Sequence, residues 1–282
     1  MDHDDDWAER CLRAALADAE FSFTEGRGEK GTLIAGFNYG PSSDSQLHLT
    51  AQVEVGTLLL VADELVDFGD PSPAQLHGIN DVTIDWPVGR MGWASHRGKL
   101  EARVSLFAYP DFVPPGPLVQ WVCHHLWEER ESLAALRCPQ PSFPPLPLED
   151  VGARFEAAGI RLKRQPDGSF VTRIDTGDTG SFGLRIGQSV PGVAEIDALP
   201  LRARPFEGDL AMHCKLADLN GRLATNAVTV WRTQVVVRHS TPIVWIPDHP
   251  QWAKFILDAA SWTCMDVVRI LGGGPVDRPP AN

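Results

Sequence analysis

One pattern constrains this chain more than any other: a strand–turn–strand–helix unit that occurs twice. The first copy starts at Gly89-Arg90, passes through Met91–Ala108 and ends in Leu118–Leu136, which contains Trp121-x-Cys123. The second starts at Gly221-Arg222, passes through Leu223–Thr241 and ends in Phe255–Leu271, which contains Trp262-x-Cys264. Each copy follows, at a distance, a short amphipathic segment (Trp7–Ala19, then Leu148–Ala158). The spacing matches: 107 positions separate Leu16 from Cys123, and 109 separate Phe155 from Cys264. A long-period internal repeat implies one structural unit built twice.

Around these anchors the pattern predicts an α+β protein of two tandem repeats, each a twisted antiparallel sheet flanked by helices in the order α-β-β-β-α-β-β-α. The first repeat is assigned to residues 1–138. Asp6-x-x-Glu9 opens its first helix as a capping box, and Cys11, Leu12, Ala15, Leu16 and Ala19 recur at helical spacing. The glycine-rich Gly26–Gly31 breaks that pattern, and Thr32–Asn38, Gln46–Glu54 and Thr57–Ala62 read as strands. In the middle one Leu47, Leu49, Ala51 and Val53 alternate with polar residues, as in a sheet covered on one face. Ser72–Asn80 reads as a short helix with Ser72 as its cap and Pro73 in the first turn. Arg90–Ser95 and Lys99–Ala108 form a hairpin. The run Cys138-Pro-Gln-Pro-Ser-Phe-Pro-Pro-Leu-Pro147 is a stiff connector, with the linker assigned to 139–147. The second repeat, 148–274, holds an entry helix stopped by Gly159 and strands in Arg161–Lys163, Ser169–Asp175 and Phe182–Gln188. A further strand falls within Val193–Leu199, followed by a helix in Pro205–Asn220 and the second hairpin. Residues 275–282 form a loose tail.

At about 100° per helical residue, both repeated tryptophans fall off the apolar face of their helices, and both cysteines fall at its opposite margin. Two readings are open. In one, these large residues cap the edges of two cores; in the other, Trp121 and Trp262 belong to an interface between the repeats or with a partner.

Charge and composition exclude several functions. The chain carries a net charge of −12 and no Lys/Arg cluster, so nucleic acid is a poor partner, as is an anionic membrane surface. No apolar run approaches the roughly 18 residues of a membrane-spanning helix. Met-Asp-His-Asp-Asp-Asp lacks the basic and apolar regions of a signal peptide. The five cysteines never form C-x-x-C, which argues against zinc and against a disulfide framework. Together these features predict a cytoplasmic protein.

The segment Asn220–Ser240, in which a helix ending Leu219-Asn220 leads into a hairpin and a last helix, resembles the motif of YbjN-type domains. Ile79-Asn80 through Gly89–Leu106 carries a looser version. The resemblance implies the fold of type III secretion chaperones, a strongly twisted antiparallel sheet with helices packed against it. It implies a non-enzymatic function, holding an extended peptide or docking a client protein. Secretion chaperones of this kind act as acidic homodimers, so a tandem copy would be a covalent pseudo-dimer, and further homo-oligomerisation is compatible with it. Strand addition at a sheet edge suits such a role. Trp86, Trp93, Trp231 and Trp245, on or beside the hairpins, join Trp121 and Trp262 as candidate partner-contact residues; the competing reading puts them in two small cores.

No phosphate loop, dinucleotide fingerprint, Gly-x-Ser-x-Gly or His-Glu-x-x-His occurs. No catalytic, cofactor or metal residue is therefore assigned. His125 with Glu129 is the nearest approach to a metal pair, and His213-Cys214 to an activated thiol. A hydrolase or metal-dependent enzyme of unknown substrate, built from His213, His239 and Asp248, is the alternative function. A regulatory scaffold, whose second repeat only stabilises the first, is a third.

Overall fold

The computed structural model of the chain describes residues 6–27, 33–54, 56–176, 181–201 and 203–271. The acidic start Asp2–Asp5 and the tail 275–282 lie outside the described residues.

Among the described residues the chain is α+β and forms two six-stranded antiparallel sheets of identical topology. The first half contains α1 (Asp6–Asp18), β1 (Thr24–Arg27), β2 (Leu33–Tyr39), β3 (Leu47–Glu54), β4 (Gly56–Asp67), α2 (Pro73–Asp85), β5 (Arg90–Ala94), β6 (Lys99–Ala108), α3 (Gly116–Glu128) and α4 (Arg130–Ala134). The second contains α5 (Glu149–Ala157), β7 (Lys163–Arg164), β8 (Phe170–Asp175), β9 (Ser181–Gly187), β10 (Val193–Pro200), α6 (Leu210–Asn220), β11 (Ala227–Trp231), β12 (Gln234–Pro242) and α7 (Trp252–Ile270). The sheet orders β1-β2-β3-β4-β6-β5 and β7-β8-β9-β10-β12-β11 map onto each other strand for strand. In each, a four-strand meander is extended by the second strand of a later hairpin.

Local chemistry sets these boundaries. Ser72 and Gln75 close a reciprocal capping box at the start of α2, with Pro73 where no intrahelical N–H is needed. Asp209 caps α6 by accepting from Ala211 N at 3.0 Å. Gly159, at φ +87°, stops α5 while Ile160 N donates back to Phe155 O. The period-2 patterns then sort the side chains. Leu49, Ala51 and Val53 of β3, Leu58, Leu60 and Ala62 of β4, and Leu100, Ala102 and Val104 of β6 pack on Leu12, Leu16, Val119, Cys123 and Leu126. Leu184 and Ile186 of β9, Ile196 of β10 and Val237 of β12 pack on Phe155, Ile256, Leu257 and Cys264.

Five expectations need correction. The first meander has four strands, because β1 starts at Thr24 and runs into the glycine-rich stretch read as a break. The closing segment of the first half is two helices, with Glu129 between α3 and α4 at φ −91°, ψ 2°. α2 runs five residues past Asn80, to Asp85, and α6 starts only at Leu210. The second hairpin starts at Ala227, because residues 221–226 are used elsewhere.

They form the seam between the halves. The Arg90 and Arg103 guanidinium groups donate to Leu223 O, Ser105 Oγ donates to Ala224 O, and Thr57 and Thr225 share a hydroxyl bond of 2.9 Å. In the opposite direction, Arg238 Nη1 donates to Ile84 O at 3.2 Å. The second half thus lays its helix–hairpin link on the first sheet, and the last turn of α2 meets β12 of the second.

Candidate functional site

A β-strand at the end of a sheet offers unpaired N–H and C=O groups, so the hairpin edges were the first candidates for peptide addition. They are closed. Asn220 accepts from Val228 N at 2.6 Å and donates to Val228 O at 2.8 Å. Asn80, from the other half, accepts from Val230 N at 2.7 Å and donates to Val230 O at 3.2 Å. On β5, Thr83 Oγ1 accepts from Met91 N at 3.1 Å. Thr83 and Asn220 each serve the residue eight positions on, so they are structural equivalents. Asn80, which sequence alone pairs with Asn220, sits one turn earlier and reaches across the seam.

A cleft of about 720 Å³ lies on the outer face of the second sheet. Arg185 from β9, Glu195 and Asp197 from β10, and Arg238 from β12 line it, with Trp231 on β11 and Ile84, Asp85 and Gln140 from beyond the seam. Its charges answer one another. Arg238 grips Asp197 in a two-pronged pair at 2.7 and 3.1 Å, with Glu195 3.8 Å away. Ser189 donates to Glu195, and Arg185 lies 3.9 Å from Asp197 and 3.7 Å from Asp167. The register shows what changed between the copies. Asp197↔Arg238 and Glu195↔Ser240 correspond to Val61↔Arg103 and Leu59↔Ser105. Where the first sheet has apolar residues, the second has two carboxylates. The alternation in Val193-Ala-Glu-Ile-Asp-Ala-Leu199, set beside Leu58-Leu-Leu-Val-Ala62, was the sequence signal for this cleft; it was missed.

The six candidate tryptophans separate. Trp86 is fully buried and donates through Nε1 to His125 Nε2 at 3.3 Å, and Trp93 is also buried, so neither is open to a partner. Both rings belong to the first core: Trp86 ends α2, and Trp93 lies on β5, which is buried along its whole length. Trp121 stacks on His125 at 4.8 Å and meets Phe143 of the linker and Trp245 of the second half at 5.8 and 5.1 Å. Trp231 and Trp262 are 59% and 66% exposed, and of the two only Trp231 borders the cleft.

The residues considered for catalysis are dispersed. His213 faces His77 at 5.0 Å and Phe206 at 4.3 Å, and burial first, His77 second, hold its pKa below the ordinary value. His239 meets Thr225 O, and Asp248 pairs with Arg154 at 3.1 Å. His124, not His125, makes the i,i+4 pair, with Glu128 at 3.0 Å. Burial pushes the thiols of Cys11 and Cys138 up to about 11 and those of Cys123 and Cys264 to about 12, and raises Cys214. All five stay protonated at neutral pH, which removes the activated-thiol reading. No group of three His, Cys, Asp or Glu among the described residues could hold a metal ion. No described helix is long and apolar enough to cross a membrane. No family model, curated protein or solved structure matches the chain.

Proposed function

We propose that the chain is a binding module without chemistry of its own, and that its cleft receives an extended segment of a partner protein. One observation carries this reading: a cleft of about 720 Å³ whose buried charges are already paired and whose rim presents a largely exposed tryptophan. That volume lies within the range of ligand sites, and Trp and Arg are the side chains that most often anchor protein contacts. The paired floor supplies shape and fixed dipoles, and Asp85 of the first half adds an exposed carboxylate at its edge. The proposed kinship with YbjN-type and secretion-chaperone folds rests on the sequence motif at Asn220–Ser240, and in that reading the two copies act as a pseudo-dimer. The binding mode differs from strand addition at the hairpins, because Asn80, Asn220 and Thr83 occupy those edges.

The test is selection of displayed linear peptides on the purified full chain, followed by affinity measurement with Trp231→Ala and Arg185→Ala variants. Peptides that lose tenfold or more in affinity with Trp231→Ala, and are unaffected by Trp262→Ala, support the cleft. Selected peptides indifferent to Trp231 and Arg185 refute it.

A further inference from the structure

Beside the cleft, at the seam, lies a smaller cavity of about 20 Å³ lined by Arg90, Ser105, Thr225, Arg238, His239 and Ser240. Its walls come from both halves. Arg90 is 3% exposed on the fully buried strand β5. Its Nη1 donates to Ser105 Oγ at 2.9 Å and its Nη2 to Leu223 O, while Nε has no acceptor. Among the described residues no carboxylate pairs with it. The nearby guanidinium groups differ, since Arg103 is bound to Glu101 and Arg238 to Asp197. Arg90 is therefore a buried cation whose charge nothing balances, and its counterpart in the second repeat is Ala227, which also faces the paired arginine of its hairpin. An isolated buried charge is costly, and a fork of donors with one prong idle is a ready anion receptor.

We propose that this cavity is a site for a small monatomic anion of the halide class, bound by Arg90 Nε of the first repeat with the Thr225 and Ser240 hydroxyls of the second. The size selects the ligand. About 10–15 Å³ accommodates one water, so the cavity suits one particle of water or halide size, and its few free donors match a monatomic ion better than the four acceptors of a tetrahedral oxyanion. The bound ion neutralises Arg90 and joins β5 and β6 to residues 221–226 and β12, so occupancy strengthens the seam. The site does not depend on the peptide reading, and Trp231→Ala leaves it intact.

Crystals of the full chain soaked in sodium bromide test the site directly, with an anomalous peak expected within hydrogen-bond reach of Arg90 Nε. Thermal melts at constant ionic strength, exchanging sodium gluconate for sodium chloride, test the linkage. Above the dissociation constant each tenfold rise in chloride raises Tm by roughly 3 °C, and Arg90→Met abolishes the rise. A cavity that holds water in bromide-soaked crystals overturns the proposal, whether or not Arg90→Met folds. A halide response equal in wild type and Arg90→Met also overturns it.

Discussion

His239 is 8% exposed on β12, and burial, only partly opposed by its contact with Thr225 O, lowers its pKa from 6.5 to about 4. The folded state therefore refuses a proton that the unfolded chain accepts once the pH falls below 6.5. Stability from this group is complete at neutral pH, declines as pH falls from about 6.5 to 4, and changes no further below that. The shift corresponds to a loss of about 3 kcal/mol. Urea unfolding at pH 7, 5.5 and 4 should show that decline in wild type and a shallower one in His239→Gln; equal slopes would remove His239 as the cause. His125 and His213 are shifted in the same direction, so a residual slope remains. Glu101 represents the opposite situation, a fully buried carboxylate held by Arg97 and by Arg103 at 2.7 Å. Glu101→Gln strands Arg103 without its charge partner and should cost about 3 kcal/mol, read as a lower urea midpoint at unchanged slope. These residues were not legible in the sequence. The pattern of β6 puts Glu101 on the polar side of its strand without announcing its burial, and His239 shares the face of Val235 and Val237, so packing rather than the letters decides how each behaves.

Elements were more legible than residues, and the misses have physical causes. Hairpins and amphipathic helices reveal themselves through side-chain period, which is a local property. β1 is four residues, Thr-Glu-Gly-Arg, with no apolar alternation, and pairing with β2 alone makes it a strand. Residues 223–226 carry strand-like letters but fold as seam because Arg90, Arg103 and Ser105 claim their carbonyls. The junction of β4 with α7 shows how closely the elements meet. Gly56 sits at φ +88°, and a Cβ there would fall 2.0 Å from the Phe255 ring. Gly56→Ala must both strain the backbone and displace the Phe255 ring, so a loss of about 2 kcal/mol or more is expected. Gly36 in β2 is the control, because a Cβ there would meet no atom within 4 Å. Gly36→Ala should melt within a degree or two of wild type. Similar melting of the two variants would show that the contact with Phe255 is slack.

At the scale of the whole chain, the repeat was legible because duplication copies spacing, whereas the way the copies meet is a property of neither copy alone. Arg90, Arg103 and Thr57 in the first half find partners on residues 223–225, and Val230 in the second finds its edge partner in Asn80. Separating intact halves would leave these groups without their partners, at about 1–3 kcal/mol for each one that stays buried. That penalty couples the halves, so the chain should unfold in one calorimetric transition with equal van't Hoff and calorimetric enthalpies. Asn80→Ala removes the crossing bonds to Val230 while leaving both cores intact. It should lower Tm and broaden or divide the transition, whereas Asn220→Ala, whose bonds to Val228 stay within the second half, should lower Tm without dividing it. Two transitions in wild type would mean that each repeat is its own cooperative unit and that the seam bonds are too weak to join them. In that case the cleft, which takes Ile84 and Asp85 from the first half and its charged floor from the second, would open whenever either half did.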